Sequence, residues 1–334
     1  KIPREFGNLS FLVSLDLVRN NFHGNLPQEM THLHRLKVLD LSFNSFSGEV
    51  PSWFGFLQQL QVLNLRNNSF TGSLPSSFFN ITKLESLDLT FNSLDGQFQK
   101  EIKGVENMRY LSLYGNNLIG SIPPSLMNAS RLETLDLSFN LHQGNIPEGI
   151  GNLHNVNWLG IQYNQLAGSI PFTIFNISRI EIIEFTGNSL SGSLPHGLCN
   201  GLPILKELYL SDNKLHGHMP TSEIPKEIRN LVELEILSLA FNSFSGSLEM
   251  ETFNISGLRV VSLFNNNLSG TLPSNIGSIL PNIEELYLDS LTNLVGTIPH
   301  SISNCSKLTI LELSGNKLAG LIPNSLGYLT IYKS

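Results

Sequence analysis

The stretch "LDLSFN" at residues 39–44 decides the fold, because the same six letters return at 135–140 and "LDLTFN" stands at 87–92. Their last residues, Asn44, Asn92 and Asn140, are 48 residues apart each time, which is twice 24. A constant period between 20 and 50 residues indicates a repeat architecture. Stepping by about 24 gives thirteen positions, called here the ladder positions: Asn20, Asn44, Asn68, Asn92, Asn116, Asn140, Asn164, Asn188, Asn213, Asn242, Asn266, Thr292 and Asn316.

Glycine and proline punctuate every repeat in the same way. Glycine stands four residues after all thirteen ladder positions, and proline stands seven residues after eleven of them. Just before each ladder position leucine alternates with polar residues, which is the pattern of a half-buried strand. The glycine and the proline end that strand and exclude a long helix. A single repeat cannot bury its leucines alone, so we expect the repeats to stack over one apolar core.

The ladder asparagine has a predicted structural role. A backbone turn leaves N–H and C=O groups without partners, and an amide side chain can both donate to and accept from them. Thr292 can do only part of this, and its repeat has an extra residue at Leu291, so we expect irregular backbone at 288–294. A second irregularity is expected at 219–226, where the proline motif occurs twice; a binding loop and a remnant of exchange between repeats are both open explanations.

The repeat L-x-x-L-x-L-x-x-N-x-L-x-G-x-[IL]-P resembles the plant extracellular type of leucine-rich repeat. Stretches such as "NLSGTLPSNIGSILPNIEELYL" and "SISNCSKLTILELSGNKLAGLIP" are similar to ectodomains of plant leucine-rich-repeat receptor kinases, including the receptors for bacterial flagellin and elongation factor. The resemblance covers the whole chain. It implies that residues 1–334 form a single array, an α/β solenoid wound as a right-handed superhelix with a parallel concave β-sheet.

Composition excludes several classes of function. The net charge of −7, with only 14% charged residues, leaves no basic patch for a nucleic acid. We find no nucleophile elbow, phosphate-binding loop or metal-ligand spacing, so we expect no enzyme, no cofactor and no metal in this stretch. Cys199 and Cys305 lie four repeats apart, roughly 19 Å by strand spacing, so we expect them to be unpaired.

The ends of the sequence fall inside repeats. Ile2-Pro3 already occupies the proline position, and "LGYLTIYKS" stops in mid-repeat. Because solenoids need terminal caps, we expect an excerpt of a longer protein with its caps missing. The sequence contains no signal peptide, no membrane span and no kinase; the resemblance implies a kinase further along the parent protein.

Six glycosylation sequons share one position, twelve residues beyond a ladder position: Asn8, Asn80, Asn128, Asn176, Asn254 and Asn304. Asn152 and Asn200 fill the same position without a sequon, so asparagine there also has a backbone role. In a secreted chain we expect N-glycans at the six sequons, on the convex side. They would leave the concave strand face open for recognition.

Repeats that depart from the common LDLSFN motif mark the predicted ligand site. Counted from the ladder position, residues at −6, −4, −2 and −1 face out of the concave sheet, and those at −5 and −3 face inward. We expect the aspartates at −4 to be solvated and the phenylalanines at −1 to pack along the strand edge. Aromatic residues replace the common LDLSFN motif in the fifth and seventh repeats, and acidic and polar residues do so in the eighth and ninth. Exposed aromatics dominate interfaces. The candidates are Tyr110, Tyr114, Trp158, Gln162, Tyr163, Glu184, Glu207, Tyr209 and Ser211; neutral drift is the alternative explanation.

The sequence therefore predicts the extracellular recognition module of a plant receptor kinase or receptor-like protein, on the plasma membrane or secreted. It would bind a peptide or protein ligand and recruit a co-receptor kinase; only the resemblance favours immune signalling. One alternative is a secreted inhibitor of a cell-wall-degrading enzyme, like the polygalacturonase inhibitors, whose cysteine-paired caps are missing here. Another is ice binding, for which position −2 lacks regular ranks of serine or threonine.

Overall fold

The structure is a computed structural model that describes residues 1–98, 102–194, 201–218, 231–248 and 250–328. The irregular segment predicted at 219–226 and Cys199 lie outside the described residues. The chain divides into two compact units, unit 1 (Lys1–Ala167) and unit 2 (Gly168–Ser334), and each is described by itself.

Unit 1 repeats a three-residue strand and a flank strand along the chain. In order these are β1 (Ser14–Asp16), β2 (His23–Gly24), β3 (Val38–Asp40), β4 (Ser45–Glu49), β5 (Val62–Asn64), β6 (Ser69–Gly72), β7 (Ser86–Asp88), β8 (Ser93–Leu94), β9 (Tyr110–Ser112), β10 (Ile119–Gly120), β11 (Thr134–Asp136), β12 (Leu141–Asn145), β13 (Trp158–Gly160) and β14 (Gln165–Ser169). The odd-numbered strands pair in parallel in chain order. The flank strands pair as β2-β4-β6-β8 and β10-β12-β14.

Unit 2 follows the same scheme. Its strands are β15 (Ile182–Glu184), β16 (Ser189–Gly192), β17 (Glu207–Tyr209), β18 (Lys214–His218), β19 (Ile236–Ser238), β20 (Ser243–Ser247), β21 (Val260–Ser262), β22 (Asn267–Thr271), β23 (Glu285–Tyr287), β24 (Asn293–Gly296), β25 (Ile310–Glu312) and β26 (Lys317–Leu318). Odd-numbered and even-numbered strands again form separate parallel sheets in chain order.

Short helices, nearly all of the 3-10 type, form the side opposite the odd-numbered strands. In unit 1 they span Arg4–Asn8, Gln28–His32, Ser52–Phe56, Ser76–Asn80, Pro124–Asn128 and Glu148–Asn152. In unit 2 they span Phe172–Asn176, Met250–Phe253, His300–Asn304 and Asn324–Tyr328, with one α-helical turn at Ile276–Ile279. A proline precedes most of them, as at Pro51, where φ is −67°; proline suits a helix start because its φ is preset and its missing N–H needs no partner.

The core is a stack of leucines held in register by the strand pairing. In unit 1, Leu39 pairs with Leu63, and Leu63 with Leu87. All three side chains are buried, because residues at −5 point to the same face of every strand. The predicted leucine-rich-repeat fold, with its parallel sheet and stacked core, is confirmed.

The ladder asparagines join neighbouring repeats through their amides. Asn140 donates from Nδ2 to the carbonyls of Leu113 in the preceding repeat (2.9 Å) and Leu137 in its own (3.1 Å). Its Oδ1 accepts the N–H of Leu118, again in the preceding repeat, at 3.0 Å. Each buried amide thus supplies partners to backbone groups that the strand ladder leaves unpaired.

The glycine after each ladder position answers two constraints at once. Gly48 has φ +88°, a region that residues with a side chain rarely adopt. A Cβ added at Gly48 would also lie 2.7 Å from Oδ1 of Asn25, a residue of the preceding repeat. Because the Asn25 side chain can move aside, the positive φ is the stronger of the two reasons for glycine at this position.

The repeat around Thr292 contains one additional residue. Ser262 on β21 pairs with Tyr287 on β23. From Ser262 to Leu268 in the flank strand β22 the chain advances six residues. From Tyr287 to Leu294, the equivalent leucine in the flank strand β24, it advances seven. Ser290 keeps the positive φ (+53°) that Asn265 (+51°) has at the same distance from its strand, so the extra residue lies between Ser290 and Leu294. Leu291 donates its N–H to Oδ1 of Asn316 at 3.2 Å. Strand pairing is regular on both sides of this point.

Candidate functional site

The strand face of unit 1 is defined here as the outward surface of its odd-numbered strands. Side chains alternate along a strand, so Leu111 on β9 is buried while Tyr110 and Ser112 lie on the outward face. The candidate site occupies three adjacent strands, β9, β11 and β13.

Four aromatic rings from successive repeats form a continuous row, called here the aromatic ridge: Phe91, Tyr114, Phe139 and Tyr163. Consecutive ring centroids are 5.0, 4.9 and 4.5 Å apart, within the range of favourable aromatic pairs. The sequence predicted edge packing for the phenylalanines at −1. The rings do pack on one another, but 45% of Phe91 and 39% of Phe139 stays exposed.

A left-handed backbone conformation directs most rings of the ridge outward. Phe91, Phe139 and Tyr163 have φ of +50°, +53° and +51°, a left-handed conformation that costs roughly 1–2 kcal/mol for a residue with a side chain. At the same position Gly115 has φ +67° and needs no such cost, and its repeat supplies Tyr114 from position −2 instead. The stacked repeats therefore determine the turn, and the turn determines where the rings stand.

The floor beneath the ridge is polar and buried. Asp88 is only 8% exposed, and its Oδ1 accepts the N–H of Thr90 at 2.9 Å. The hydroxyls of Thr90 and Ser112 lie 2.7 Å apart in a hydrogen bond between repeats. The expectation that the aspartates at −4 are solvated is wrong for Asp88, because the side chains around it in the neighbouring repeats cover it.

A second carboxylate, Asp136, lies two strands from Asp88 on the same floor. Its Oδ1 accepts the N–H of Ser138 at 3.0 Å, and burial raises the pKa of this carboxyl above its usual range. The hydroxyl of Ser138 lies beside it, fully buried and without a hydrogen bond of ordinary geometry. Burial also raises the pKa of the Tyr110 phenol, and the Asp88 carboxylate adds to that effect.

The remaining unit 1 candidates flank this floor. Trp158 stands on β13 at position −6 and is 40% exposed, Tyr163 at the end of the ridge is 46% exposed, and Gln162 is half-buried between them in sequence. Tyr110 is half-buried on β9. The structure thus brings Tyr110, Tyr114, Trp158, Gln162 and Tyr163 onto neighbouring strands of one face.

Sequence reasoning did not select four residues that complete this surface. They belong to the repeated motifs "LDLTFN" and "LDLSFN", which the sequence analysis took as the common pattern: Asp88 and Phe91 in the first, Asp136 and Phe139 in the second. Only the arrangement of the strands shows that these common residues continue the ridge and the floor between the unusual ones.

The unit 2 candidates form a separate polar cluster. Tyr209 on β17 donates its hydroxyl to Oε2 of Glu207 at 2.9 Å; burial first, and then this hydrogen bond, raise the pKa of the phenol. The hydroxyl of Ser211 lies 2.7 Å from that of Ser238. Glu184 is half-buried on β15, and its charge adds to the shift at Tyr209.

The Glu–Tyr contact recurs in unit 2, which the sequence analysis missed. Tyr287 on β23 donates to Oε2 of Glu285 at 2.9 Å, as Tyr209 does to Glu207. The signal was available, since "ELY" occurs at 207–209 and again at 285–287. In each case the two side chains are two residues apart and lie on the same face of one strand.

The six sequon asparagines lie on the helix side. Asn8, Asn80, Asn128, Asn176 and Asn304 are each the last residue of a 3-10 helix, and Asn254 follows the helix that ends at Phe253. All six are exposed. Their placement leaves the strand faces clear of these six sequons.

Among the described residues, no three histidine, cysteine, aspartate or glutamate side chains come together as metal ligands would. None of the described helices has the length and apolar character to cross a membrane. Cys305 is buried with a free thiol.

Comparisons with known proteins identify the repeat. One model of the leucine-rich-repeat family matches residues 34–94, and a second matches 107–129, 131–153, 205–231, 257–279 and 307–329. This chain belongs to the leucine-rich-repeat proteins. Its relatives include Receptor-like protein 41 of Arabidopsis thaliana, which is 35% identical over 107 residues, 31% of this chain and 11% of the relative.

The leucine-rich-repeat chain is similar in structure to solved ectodomains of plant receptors. The plant peptide hormone receptor RGFR1 in complex with RGF2 is 35% identical, with a TM-score of 0.91 over 98% of this chain and 51% of the receptor chain. The Arabidopsis receptor kinase HAESA, in complex with the peptide hormone IDA and the co-receptor SERK1, is 30% identical, with a TM-score of 0.74 over 99% of this chain and 62% of the other. The chain therefore spans about half of the RGFR1 chain and a smaller share of its curated relative.

Proposed function

We propose that this chain is the ligand-recognition module of a plant leucine-rich-repeat receptor kinase or receptor-like protein, acting outside the cell. The observation that carries the proposal is the exposed aromatic ridge with Trp158 on the strand face of unit 1. Large exposed aromatics favour a partner that covers them, because such residues dominate the energetics of interfaces. The likeness to RGFR1 and HAESA, both solved with peptide hormones, supports a peptide as that partner.

The proposed contacts follow the candidates of both units. An extended peptide lying across parallel strands would meet one repeat about every 4.8 Å. In unit 1 its contacts would be Tyr110, Tyr114, Trp158, Gln162 and Tyr163, whose rings would supply buried apolar area. In unit 2, taken by itself, the proposed ligand contacts are Glu184, Glu207, Tyr209 and Ser211, whose carboxylates and hydroxyls would hydrogen-bond a peptide.

The partners proposed beyond the ligand are a co-receptor kinase and N-glycans. HAESA was solved with the co-receptor SERK1, which supports a co-receptor for this chain. Exposed sequons at the helix ends support glycans on the helix side and an extracellular location. Immune sensing stays a prediction from the resemblance to the flagellin and elongation-factor receptors, to be tested by whether loss of the parent gene changes the response to bacterial extracts.

Peptide binding by a ridge-deficient variant tests the proposal. The immobilised chain is screened by interferometry against synthetic secreted plant peptides and peptides from bacterial flagellin and elongation factor. A variant with Tyr110→Ser, Trp158→Ser and Tyr163→Ser should bind any peptide ligand at least about 100-fold more weakly, since losing even one hot-spot aromatic costs about 2 kcal/mol, or roughly 30-fold in affinity. Phe56→Ser is the control, because Phe56 is 68% exposed on the helix side of the same unit.

Circular dichroism must show that the triple variant keeps its fold. An unchanged affinity in that variant would overturn the strand face as the binding surface. A peptide whose binding depends on Phe56 instead would place recognition on the helix side.

A further inference from the structure

We propose that the floor between Tyr110, Trp158 and the aromatic ridge is a subsite for a cationic side chain, lysine or arginine, of the peptide ligand, with Asp136 as its counter-charge. This inference rests on the proposed function and adds the chemistry that the ligand must carry. The subsite is called here the cation trough, and its floor comprises Ser112, Asp136, Ser138 and Gly160.

The first observation is the shape of the trough. Tyr110 and Trp158 stand at position −6, and Tyr114, Phe139 and Tyr163 stand at −2 or −1, with Asp136 at −4 between the two rows. Four strand residues separate −6 from −2, so the two rows are about 13 Å apart at the backbone. Aromatic faces on both sides of a carboxylate attract a cation, because the negative face of each ring adds to the attraction of the charge.

The second observation is that the floor carboxylates have no cation within ion-pair distance, although the charge of Arg66 acts on Asp136 from further away and opposes the rise in its pKa that burial causes. Neither Asp88 nor Asp136 forms an ion pair with any residue that the structure describes, although both lie largely covered on the same face. Position −7 of the same repeats is different: Arg109 lies 2.6 Å from Glu133 and 3.9 Å from Glu85. The edge of the sheet pairs its carboxylates directly with a guanidinium, whereas Asp136 on the floor has no such contact, which an incoming cation would supply.

The third observation is a pair of acceptors that converge on one place. Oδ1 of Asp136 and Oγ of Ser138 each lie 2.9 Å from the point where a Cβ of Gly160 would stand. Glycine leaves that space without a side chain, and the buried Ser138 hydroxyl has no hydrogen bond of ordinary geometry among the described residues. Burial raises the pKa of the Asp136 carboxyl, and this hydroxyl lies close enough to that group to lower its pKa against the effect of burial. An ammonium or guanidinium group above Gly160 would donate to both oxygens, which an apolar or anionic side chain cannot do.

The third observation also excludes two simpler occupants. An apolar side chain in the trough would cover Asp136 and Ser138 without satisfying them, and burial of an unsatisfied charged group opposes binding. An acidic side chain would add a third negative charge beside Asp88 and Asp136. The trough therefore selects for a basic residue flanked by apolar ones that lie on the ridge.

A fluorescence titration tests the inference with defined probes. Trp53→Phe leaves Trp158 as the only tryptophan of the chain, so its emission reports occupancy of the trough. The probe is the peptide acetyl-Ala-Lys-Ala-Lys-Ala-Lys-Ala-amide, and the matched probe carries Nε-acetyl-lysine in place of each lysine. We expect a saturable change with the first probe and none at the same concentrations with the second.

Two matched variants locate the effect. Asp136→Asn keeps an acceptor for the Ser138 N–H but removes the charge, and it should weaken binding of the lysine probe about tenfold. Asp40→Asn makes the same change at position −4 of β3, away from the aromatic rows, and should change affinity less than about twofold. Equal weakening by both variants would show general electrostatic attraction and overturn the subsite.

The outcomes separate this inference from the proposed function. If Asp136→Asn leaves probe binding unchanged, or the acetylated probe binds equally well, the cation trough is refuted. The proposed function then still stands if the triple aromatic variant loses its peptide ligand, and it falls only if that variant binds as the unaltered chain does.

Discussion

Acid should destabilise unit 1 through one core residue, His142. The imidazole is fully buried at a position where the neighbouring repeats carry Leu118 and Leu166, both also fully buried. Its Nδ1 lies 3.3 Å from the Gly120 carbonyl, its Nε2 has no partner, and its ring stacks on Phe98 at 5.7 Å. Burial therefore lowers the pKa of His142 to about 4.

The size of the effect follows from the difference between the folded and unfolded pKa. The unfolded chain, whose imidazole pKa is about 6.5, takes up a proton before the folded chain as pH falls. Stability is therefore complete above pH 6.5 and is lost as the pH falls toward 4. The lost free energy of unfolding is about 2 kcal/mol between pH 7.5 and 5.0 and roughly 3 kcal/mol in the acid limit.

Urea unfolding followed by circular dichroism at pH 7.5 and 5.0 measures this loss. His142→Leu should remove about 2 kcal/mol of the difference between the two pH values, because leucine fills the same position without titrating. His154→Asn, a change at an exposed residue of unit 1, should leave that difference as it is. Should His142→Leu lose as much stability in acid as the unaltered chain, the buried imidazole is not the cause.

The ladder, the thiol and the sequons give further predictions. Asn140→Ala should lower the free energy of unfolding by about 2–4 kcal/mol in urea titrations, since it leaves buried carbonyls and an N–H without partners. Asn20→Ala should lower it by about 1 kcal/mol or less. Asn20 is exposed, and its amide donates only to carbonyls of its own repeat. Equal losses would contradict the role of the amide between repeats. Burial raises the pKa of the Cys305 thiol to about 11, so mass spectrometry should find it unalkylated by iodoacetamide at pH 8 in the folded chain and alkylated in urea. Expressed through a plant secretory pathway, the chain should carry a glycan removable by a glycosidase at Asn80 and none at Asn152; an unmodified Asn80 would refute the glycan proposal for that position.

The fold could be predicted from the sequence because the constraints are local and repeated. Leucine at −5, asparagine at the ladder position and glycine four residues later each have one physical role, and that role recurs in every repeat. The single residue that breaks the period near Leu291 is visible as a change of spacing, and the structure places it between Ser290, which keeps the regular turn conformation, and Leu294. Repetition makes such a deviation readable without coordinates.

The site could be predicted only in outline. Exposure at −6 and −2 follows from strand alternation, so Tyr110 and Trp158 could be selected as surface aromatics. The left-handed backbone at Phe91 and Phe139, the burial of Asp88 and the convergence of Asp136 and Ser138 over Gly160 depend on contacts between repeats. Those contacts join residues about 24 positions apart, and no pattern within one repeat contains them.

Photo-crosslinking tests the central claim, recognition on the strand face, most directly. Para-benzoylphenylalanine replaces Tyr110 or Tyr163 in one set of chains and Phe56 in another, and each chain is irradiated with the peptide that binds it best. Recognition on the strand face predicts covalent adducts from positions 110 and 163, joined next to a basic residue of the peptide, and none from position 56. Adducts from position 56 alone would contradict it.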